Sequence, residues 1–497
     1  MARDTLLHLV PAMASRLGRR RAGGQASFFV MITAVILVIA ALLVYNVGRL
    51  NLTRMHMQNT ADSAAYSGAV LMARSYNFAA YSNRAMVANQ VAIAQMVGLD
   101  SWARYYCLIY TDASCGNFKT NGTAAAIQTA LELMSGGQPG VDVLNAYQSA
   151  TGPMYTGINA ATGPLVTALN LIVKALSVTS RTYYDAVLAD IGLSAVSQSG
   201  LLYDVVKQND PQAQLSVAGM GAIAVSLAQI QGFAQTYTPL YNQNDPNNRF
   251  HNVVMASRDS FSSSRASAEI PPFTSLLVSA GDCLGDGVGF MIASSLGYSG
   301  SSTLSSDNAT WSAKDSSPFL AEGLCVIEVP TPVGPIPVPI PLIVPIPPST
   351  GQSNTTANTS DQYSIGSYSG LQPYKDVKDL TGNDYTAPTL TLLISRSQNS
   401  IATTQQLKVG LSGGPPVPIA GGTLQTPDAQ AGQMMQVAAS SQVYFVRPVF
   451  SDTTTPVAGQ YNSLGGQTLY GSFFSPYWEA HLVPTSSAVL AAAGALQ

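Results

Sequence analysis

RLGRRRAGGQASFFVMITAVILVIAALLVYNVGRLNLTRMHMQNTADSAAYSGAVLMA, residues 16–73, places four arginines ahead of an uncharged apolar run and lets that run pass into an alanine-rich stretch. Ser27 to Val47 contains neither charge nor proline. At 1.5 Å per residue, a helix of about 20 residues crosses a bilayer core of roughly 30 Å, so one span fits. Arg16, Arg19, Arg20 and Arg21 precede it and only Arg49 and Arg54 follow closely. The positive-inside rule then keeps the N-terminus in the cytoplasm and exports the rest of the chain. A cleaved secretory signal also begins basic and turns apolar, but its core is about 7–15 residues and ends at a small-residue site. This run is longer and ends in Tyr45-Asn46-Val47-Gly48-Arg49. Arg20-Arg21 leads into Ala22-Gly23 and lacks the apolar residues expected after a twin-arginine signal.

Working outward, residues 49–106 are rich in Ala, Met, Leu, Gln and Arg, and no proline occurs between Pro11 and Pro139. This composition predicts helix. Ala61, Ala65, Ala69 and Ala73 recur every four residues with Gly68 beside them, a small-residue stripe where another element can approach closely. It serves either as a packing seam within the chain or as an assembly face. An unbroken helix from Ser27 to Tyr106 would be about 120 Å long, so a break is expected, with Asn77 and Gly98 as candidates.

The expected class is α+β. A basic cytoplasmic segment (1–26), a membrane helix (27–47) and a helical stalk (48–115) precede a helical region (116–270) with Ala/Leu/Ile-rich runs at 123–134, 164–195 and 217–235. Beyond Pro271 Thr, Val, Tyr and Ser rise, and Thr389–Ser395, Val443–Val446 and Trp478–Val483 read as strands of a β-rich region (271–497). Within it Val329 to Pro348 has proline at nearly every second position, which excludes helix and a central strand and predicts an extended, polyproline-like arm. Its Ile, Val and Leu residues suit a strap over the chain's own core or a partner-docking element. The polar Ser349–Ser360 segment follows it.

Only 10% of the 497 residues are charged and the formal net charge is −3. The basic cluster is juxtamembrane, so no electrostatic case for nucleic-acid binding exists. Cys107, Cys115, Cys283 and Cys325 all follow the span. An even number in an oxidising compartment reads as two disulfides, and of three pairings Cys107–Cys115 and Cys283–Cys325 are favoured over four buried thiols. No CxxC occurs and the four histidines are scattered, so a zinc site has no local scaffold. No cofactor is implied. Nucleophile elbow, Walker and HExxH motifs are absent. Gly219-Met220-Gly221 is a poor dinucleotide fragment in a helical context, and Gly285-Asp286-Gly287 reads as a turn. Asp62, Arg84, Arg258 and Asp259 are charges in uncharged surroundings that pair within the fold or across a contact.

Gly24-Gln25-Ala26, the apolar run, Gly48-Arg49 and then Met57-Gln58-Asn59-Thr60-Ala61-Asp62-Ser63-Ala64-Ala65 with Ser67-Gly68-Ala69 resemble the N-terminus of TadE/TadG-like Flp pilus-assembly proteins. Asn77 to Asn89, Ala256 to Phe261, Tyr444 to Pro448 and Ser475 to Pro484 resemble segments of long members of that group, in the same order. The resemblance implies a non-enzymatic component of a tight-adherence (type IVc) pilus apparatus or related envelope system, anchored once in the inner membrane, with other pilus-assembly or pilin-like proteins as partners. Gly24-Gln25 is the candidate processing site, but Phe29 stands where pilin-like members carry glutamate. The larger members can carry a von Willebrand A metal site, and Asp259-Ser260-Phe261-Ser262-Ser263 fails its pattern at the third position. An adhesin or scaffold outside any pilus, and a tethered enzyme whose site is not local in sequence, are the competing classes.

Overall fold

The computed structural model describes residues 25–108, 139–238, 249–266, 275–283, 287–295, 298–317, 319–332, 334–343, 351–358, 368–378, 388–401, 408–409, 417–418, 434–446, 463–464, 467–468 and 471–489. Gly24, Cys115 and the run 123–134 lie outside them.

The first helix, α1, runs Gln25–Leu108 without interruption, 84 residues or about 126 Å. The break expected at Asn77 or Gly98 does not occur. Asn77 aims its amide away from the helix: Nδ2 donates to the Trp478 carbonyl (2.9 Å) and Oδ1 accepts from the Trp478 N–H (3.0 Å). It therefore does not compete for the backbone of α1, the usual reason asparagine ends a helix. Gly98 is required by close packing. A Cβ there would stand 2.6 Å from Arg265 Nη1 and 2.7 Å from Ser302 Oγ. From Met57 onward α1 is buried along one side, and that burial outweighs the roughly 1 kcal/mol that glycine costs in a helix.

The helix α2, Pro139–Val196, lies antiparallel on α1: Asn159 Nδ2 donates to Asp100 Oδ1 (2.9 Å), and 25 residues later Tyr184 stacks on Tyr76 at 6.0 Å between centroids. Two helices, α1 and α2, are long and apolar enough to cross a membrane. Only the first segment of α1 is largely bare, with most large side chains between Phe28 and Val44 37% to 73% exposed and Ile39 and Leu42 less so. The partners of α2 on α1, Tyr76 and Asp100, sit about 44 and 80 Å beyond Val47, so α2 belongs to the body. Helices α3 (Leu201–Asn209), α4 (Val217–Phe233), α5 (Arg249–Ala256) and α6 (Ser260–Ser263) complete the helical part.

Strands β1 (Gln214–Leu215), β12 (Thr389–Ser397), β15 (Met434–Phe445) and β18 (Trp478–Val483) form an antiparallel sheet in the order β1-β12-β15-β18. It packs on the membrane-proximal half of α1 in a core that includes Met57, Ala61, Ala65, Leu392, Val437 and Trp478. A second sheet, in the order β10-β7-β6-β3, comprises β3 (Arg265–Ala266), β6 (Ser299–Leu304), β7 (Thr310–Ser317) and β10 (Gly351–Asn358), and packs on the distal half around Ile93, Val97, Trp311 and Ala313. The short β2 (Ala234–Tyr237) pairs with β11 (Tyr374–Val377) between them. Two further pairs are small: β13 (Lys408–Val409) with β14 (Val417–Pro418), and β16 (Ser463–Leu464) with β17 (Gln467–Thr468). The architecture is thus α+β.

A third antiparallel sheet has the order β4-β5-β8-β9, from β4 (Ser275–Cys283), β5 (Gly287–Ser295), β8 (Phe319–Thr331) and β9 (Gly334–Ile343). The proline-rich segment is extended as expected, but residues 334–343 are an edge strand rather than a polyproline arm. Pro335, Pro337, Pro339 and Pro341 oppose Pro330, Glu328, Val326 and Leu324 of β8. Because successive residues of a strand point their N–H groups to opposite sides, prolines of one parity all fall on the side away from β8. The alternate residues Ile336, Val338 and Ile340 keep the donors the ladder needs. From Pro335 to Pro341 an edge built this way offers no N–H groups to another strand.

Candidate functional site

The chemistry-bearing part of this chain is α1 itself, a bare apolar segment continued as the axis of the folded body. Side chains along the axis latch distant segments in order. Near the span Asp210, its side chain 4% exposed, accepts from Arg396 Nη1 (2.9 Å) and the Gln212 N–H (3.0 Å), with His56 Nδ1 3.8 Å away. His56 lies about 14 Å beyond Val47, so this polar collar sits where the body meets the end of the span. Two residues on, Gln58 Nε2 donates to the Ala438 carbonyl (3.1 Å) and to Asp62 (2.9 Å).

The small-residue stripe comes next. Ala61, Ala65, Ala69 and Ala73 are buried, and Ser441 Oγ of β15 donates to the Ala65 carbonyl (2.6 Å). Gly68 meets Leu390 of β12 and Leu202 of α3, where an added Cβ would lie 2.7 Å from Leu202 Cδ2 and overlap Leu390 Cδ2. The stripe is therefore covered by the chain's own sheet and α3. Substituting Gly68→Leu should lower stability by about 1–3 kcal/mol through overpacking, even after the gain in helix propensity. The midpoint of denaturant unfolding in detergent checks this, and an unchanged midpoint would contradict the seam.

Farther along, Tyr76 enters a cluster with Tyr184, Phe233, Phe473 and Trp478, its ring 4.8 Å from Phe473 and edge-on to Trp478 at 5.3 Å. Asn83 Nδ2 donates to the carbonyls of Lys375 (2.9 Å) and Phe473 (2.7 Å), and Arg84 Nε to that of Phe474 (2.6 Å). The segments Asn77–Asn89 and Ser475–Pro484, far apart in sequence, thus face one another. Asp376 is buried beside them, paired with Arg249 and accepting from the N–H groups of Phe473 (2.7 Å) and Val377 (2.8 Å). Burial raises its carboxyl above the usual range, against the pull of Arg249. Gln90 Oε1 accepts from both Trp311 Nε1 and Tyr368 OH at 3.0 Å. Asp100, also raised by burial, accepts from Asn159 and from Thr355 Oγ1 (3.2 Å).

At the distal end Arg265, Gly300 and Asp315 are register partners on three adjacent strands. The guanidinium reaches across the glycine to Asp315 through two bonds, Nε to Oδ1 (2.8 Å) and Nη2 to Oδ2 (3.0 Å), and Tyr298 OH donates to the same carboxylate. Gly300 leaves room within the sheet and Gly98 leaves room for α1 above it. Nothing in the sequence marks this group, because its members are separated by up to 217 positions and no motif links them.

Other singled-out residues have structural roles. Asp259 caps α6, accepting from the Ser262 N–H (2.9 Å), which holds its carboxyl below the usual range although its slight burial pulls the other way. Arg258 donates to the carbonyls of Met255 (3.1 Å) and Ser302. Gly219 lies against the main chain of Leu393, and its N–H is bonded by the Ser216 cap (2.9 Å), so Gly219 marks a close helix–strand approach while Gly221 faces open space. Among the described residues no group of three His, Cys, Asp or Glu side chains is arranged to hold a metal ion. Cys107 is buried at the end of α1. Cys283 on β4 and Cys325 on β8 flank β5, where their register partners are Gly287 and Gly289.

Comparison with protein families fits this axis. Residues 24–72 match the family of putative Flp pilus-assembly TadE/G-like proteins. The TadE/G-like segment covers the bare apolar run, His56 of the polar collar and most of the buried stripe, and ends just before the aromatic cluster begins at Tyr76. No curated protein and no solved structure matches the chain.

Proposed function

We propose that this chain is a non-enzymatic, single-pass structural component of Flp (Tad-type) pilus assembly or a related envelope secretion system. In this reading residues 27–47 span the inner membrane with the N-terminus inside, and the body stands outside it. One observation carries it. The family-matched segment is part of one unbroken helix, mostly bare from Phe28 to Val44 and, from Met57 on, lying in the core beneath the first sheet. Such a helix transmits position from membrane to body with no hinge between them. The oxidising compartment accounts for the cysteines as disulfides, with Cys107–Cys115 closing a short loop past α1 and Cys283–Cys325 a longer one.

With Phe29 in place of glutamate, Gly24-Gln25 is not cut and the anchor is permanent. Intact mass and N-terminal sequencing of the protein purified from its native membranes should return a chain beginning upstream of Gln25. A chain beginning at Gln25 would instead make it a pseudopilin able to leave the membrane, and recovery in the soluble fraction would remove the anchor.

A further inference from the structure

Only one face of the sheet β1-β12-β15-β18 packs on α1. Strand residues alternate between faces, so Leu390, Leu392, Val437, Ala439 and Val443 point into the core around α1, whereas Thr389, Thr391, Ser440 and Gln442 point the other way. The helix α4 and residues 484–489 flank this outer face and leave a groove of about 520 Å³ between them. Its floor is built of register partners: Thr391 opposes Ser440, their hydroxyls bonded at 2.9 Å, and Thr389 opposes Gln442. Ser226 and Gln229 of α4 form one wall, and Val483 and Pro484 belong to the other. None of the described residues lining the groove is charged. The same face continues beyond it. His481 on β18 is the register partner of Gln442, and one pair further on Tyr444 opposes Glu479. Tyr444 OH donates to Glu479 Oε2 (2.9 Å), and its ring stands edge-on to that of His481 with 4.4 Å between centroids. A floor of hydroxyls and amides thus runs into an aromatic rim with one carboxylate.

We propose that this groove and its rim bind a neutral saccharide. Three features select that class of ligand. A charged ligand finds no counter-charge in the groove, so its desolvation is not offset. A purely apolar one strips water from hydroxyls and amides without returning a hydrogen bond, at about 1–3 kcal/mol for each group left unmade. A peptide laid down as a strand finds no free backbone on the floor, because β15 is bonded on both sides, by β12 and by β18. A sugar ring satisfies what these leave unmet. Its hydroxyls both donate and accept, as do the amides of Gln229 and Gln442 and the hydroxyl of Thr389, and its C–H face packs on an aromatic ring or on valine. The volume falls within the range of about 300–1,000 Å³ usual for small-molecule sites. Saccharide binding here is independent of the membrane anchor and adds to the assembly role.

The test is titration calorimetry of the full chain, held in a detergent without a sugar head group, against the trisaccharide of N-acetylglucosamine and, separately, maltotriose. At least one of the two should bind. Tyr444→Ala and Gln229→Ala should each weaken that binding roughly tenfold, the loss of one ring contact or one good hydrogen bond, whereas Tyr81→Ala, on the exposed side of α1, should leave it unchanged. Gln229 is exposed and Tyr444 half-buried, and an unchanged unfolding midpoint in the same detergent shows that the fold is kept. No binding of either trisaccharide at about 10 mM overturns the saccharide site. So does binding that survives both substitutions, which would put the sugar elsewhere on the chain. A fatty acid that binds where neither sugar does, and is lost with Gln229→Ala, would overturn it too and make the groove a lipid site.

Discussion

Replacing Arg265 with alanine is expected to destabilise the protein by about 3–5 kcal/mol, the range for breaking a buried ion pair by removing one member. The Arg265 and Asp315 side chains are 3% and 0% exposed, so the variant leaves a carboxylate with no counter-charge in a site that water does not reach. Arg265 Nη1 also serves the Phe261 carbonyl (3.0 Å) and Ser302 Oγ (3.1 Å), and its plane lies 5.0 Å from the Phe261 ring. Those partners lose their donor at the same time. Arg265→Lys should fall between, because a lysine cannot reproduce the two-bond fork. The double variant Arg265→Met, Asp315→Leu should recover most of the loss, since an apolar pair of similar volume needs no counter-charge. Denaturant unfolding of the three variants in detergent measures all of this. A wild-type midpoint for Arg265→Ala would mean that this pair does not hold β3 to the rest of the distal sheet.

Alkali is expected to unfold the protein cooperatively above about pH 10. Burial raises the phenols of Tyr76, Tyr184, Tyr298, Tyr368 and Tyr374 well above their ordinary value, and lifts Tyr106 to about 12. Neighbouring groups add to this: Tyr76 and Tyr184 face one another, and Tyr298 and Tyr106 lie near Asp315. Below pH 10 both folded and unfolded chains keep these protons, and stability does not depend on them. Above it the unfolded chain releases them first, so the folded state binds more protons and stability falls as pH rises. Each phenol contributes about 1.4 kcal/mol per pH unit until its folded value is reached, and Tyr106 ceases to contribute near pH 12. Together they produce a loss of several kcal/mol per unit. The last phenolate absorbance to appear, that of these buried rings, should come in the same step as the loss of circular dichroism. Complete phenolate formation with the fold intact would show that these rings are open to solvent.

The membrane span was legible in the sequence for a reason that is purely local. A run of about 20 uncharged apolar residues has the length of a bilayer core. The strands at 389–397 and 478–483 were legible likewise, from β-branched and aromatic content, and the order of helical and β-rich regions followed. The interruption of α1 was not. Asn77 and Gly98 are helix-weakening residues in isolation, and their partners, Trp478 and Arg265, lie 401 and 167 positions away, beyond any local pattern. The proline-rich segment failed in the same way, because alternation of proline forbids a central strand yet fits an edge once a partner on one side is known.

The sequence by itself determined where a run long and apolar enough to cross a membrane lies, which family residues 24–72 match and that helices precede strands, because hydropathy and motif order are carried by neighbouring residues. Only the tertiary structure decided that the small-residue stripe is spent inside the chain and that Arg265 and Asp315 meet across Gly300 beneath Gly98. A stripe of small residues or a lone charge has no fixed partner until chain from far away in the sequence is folded against it.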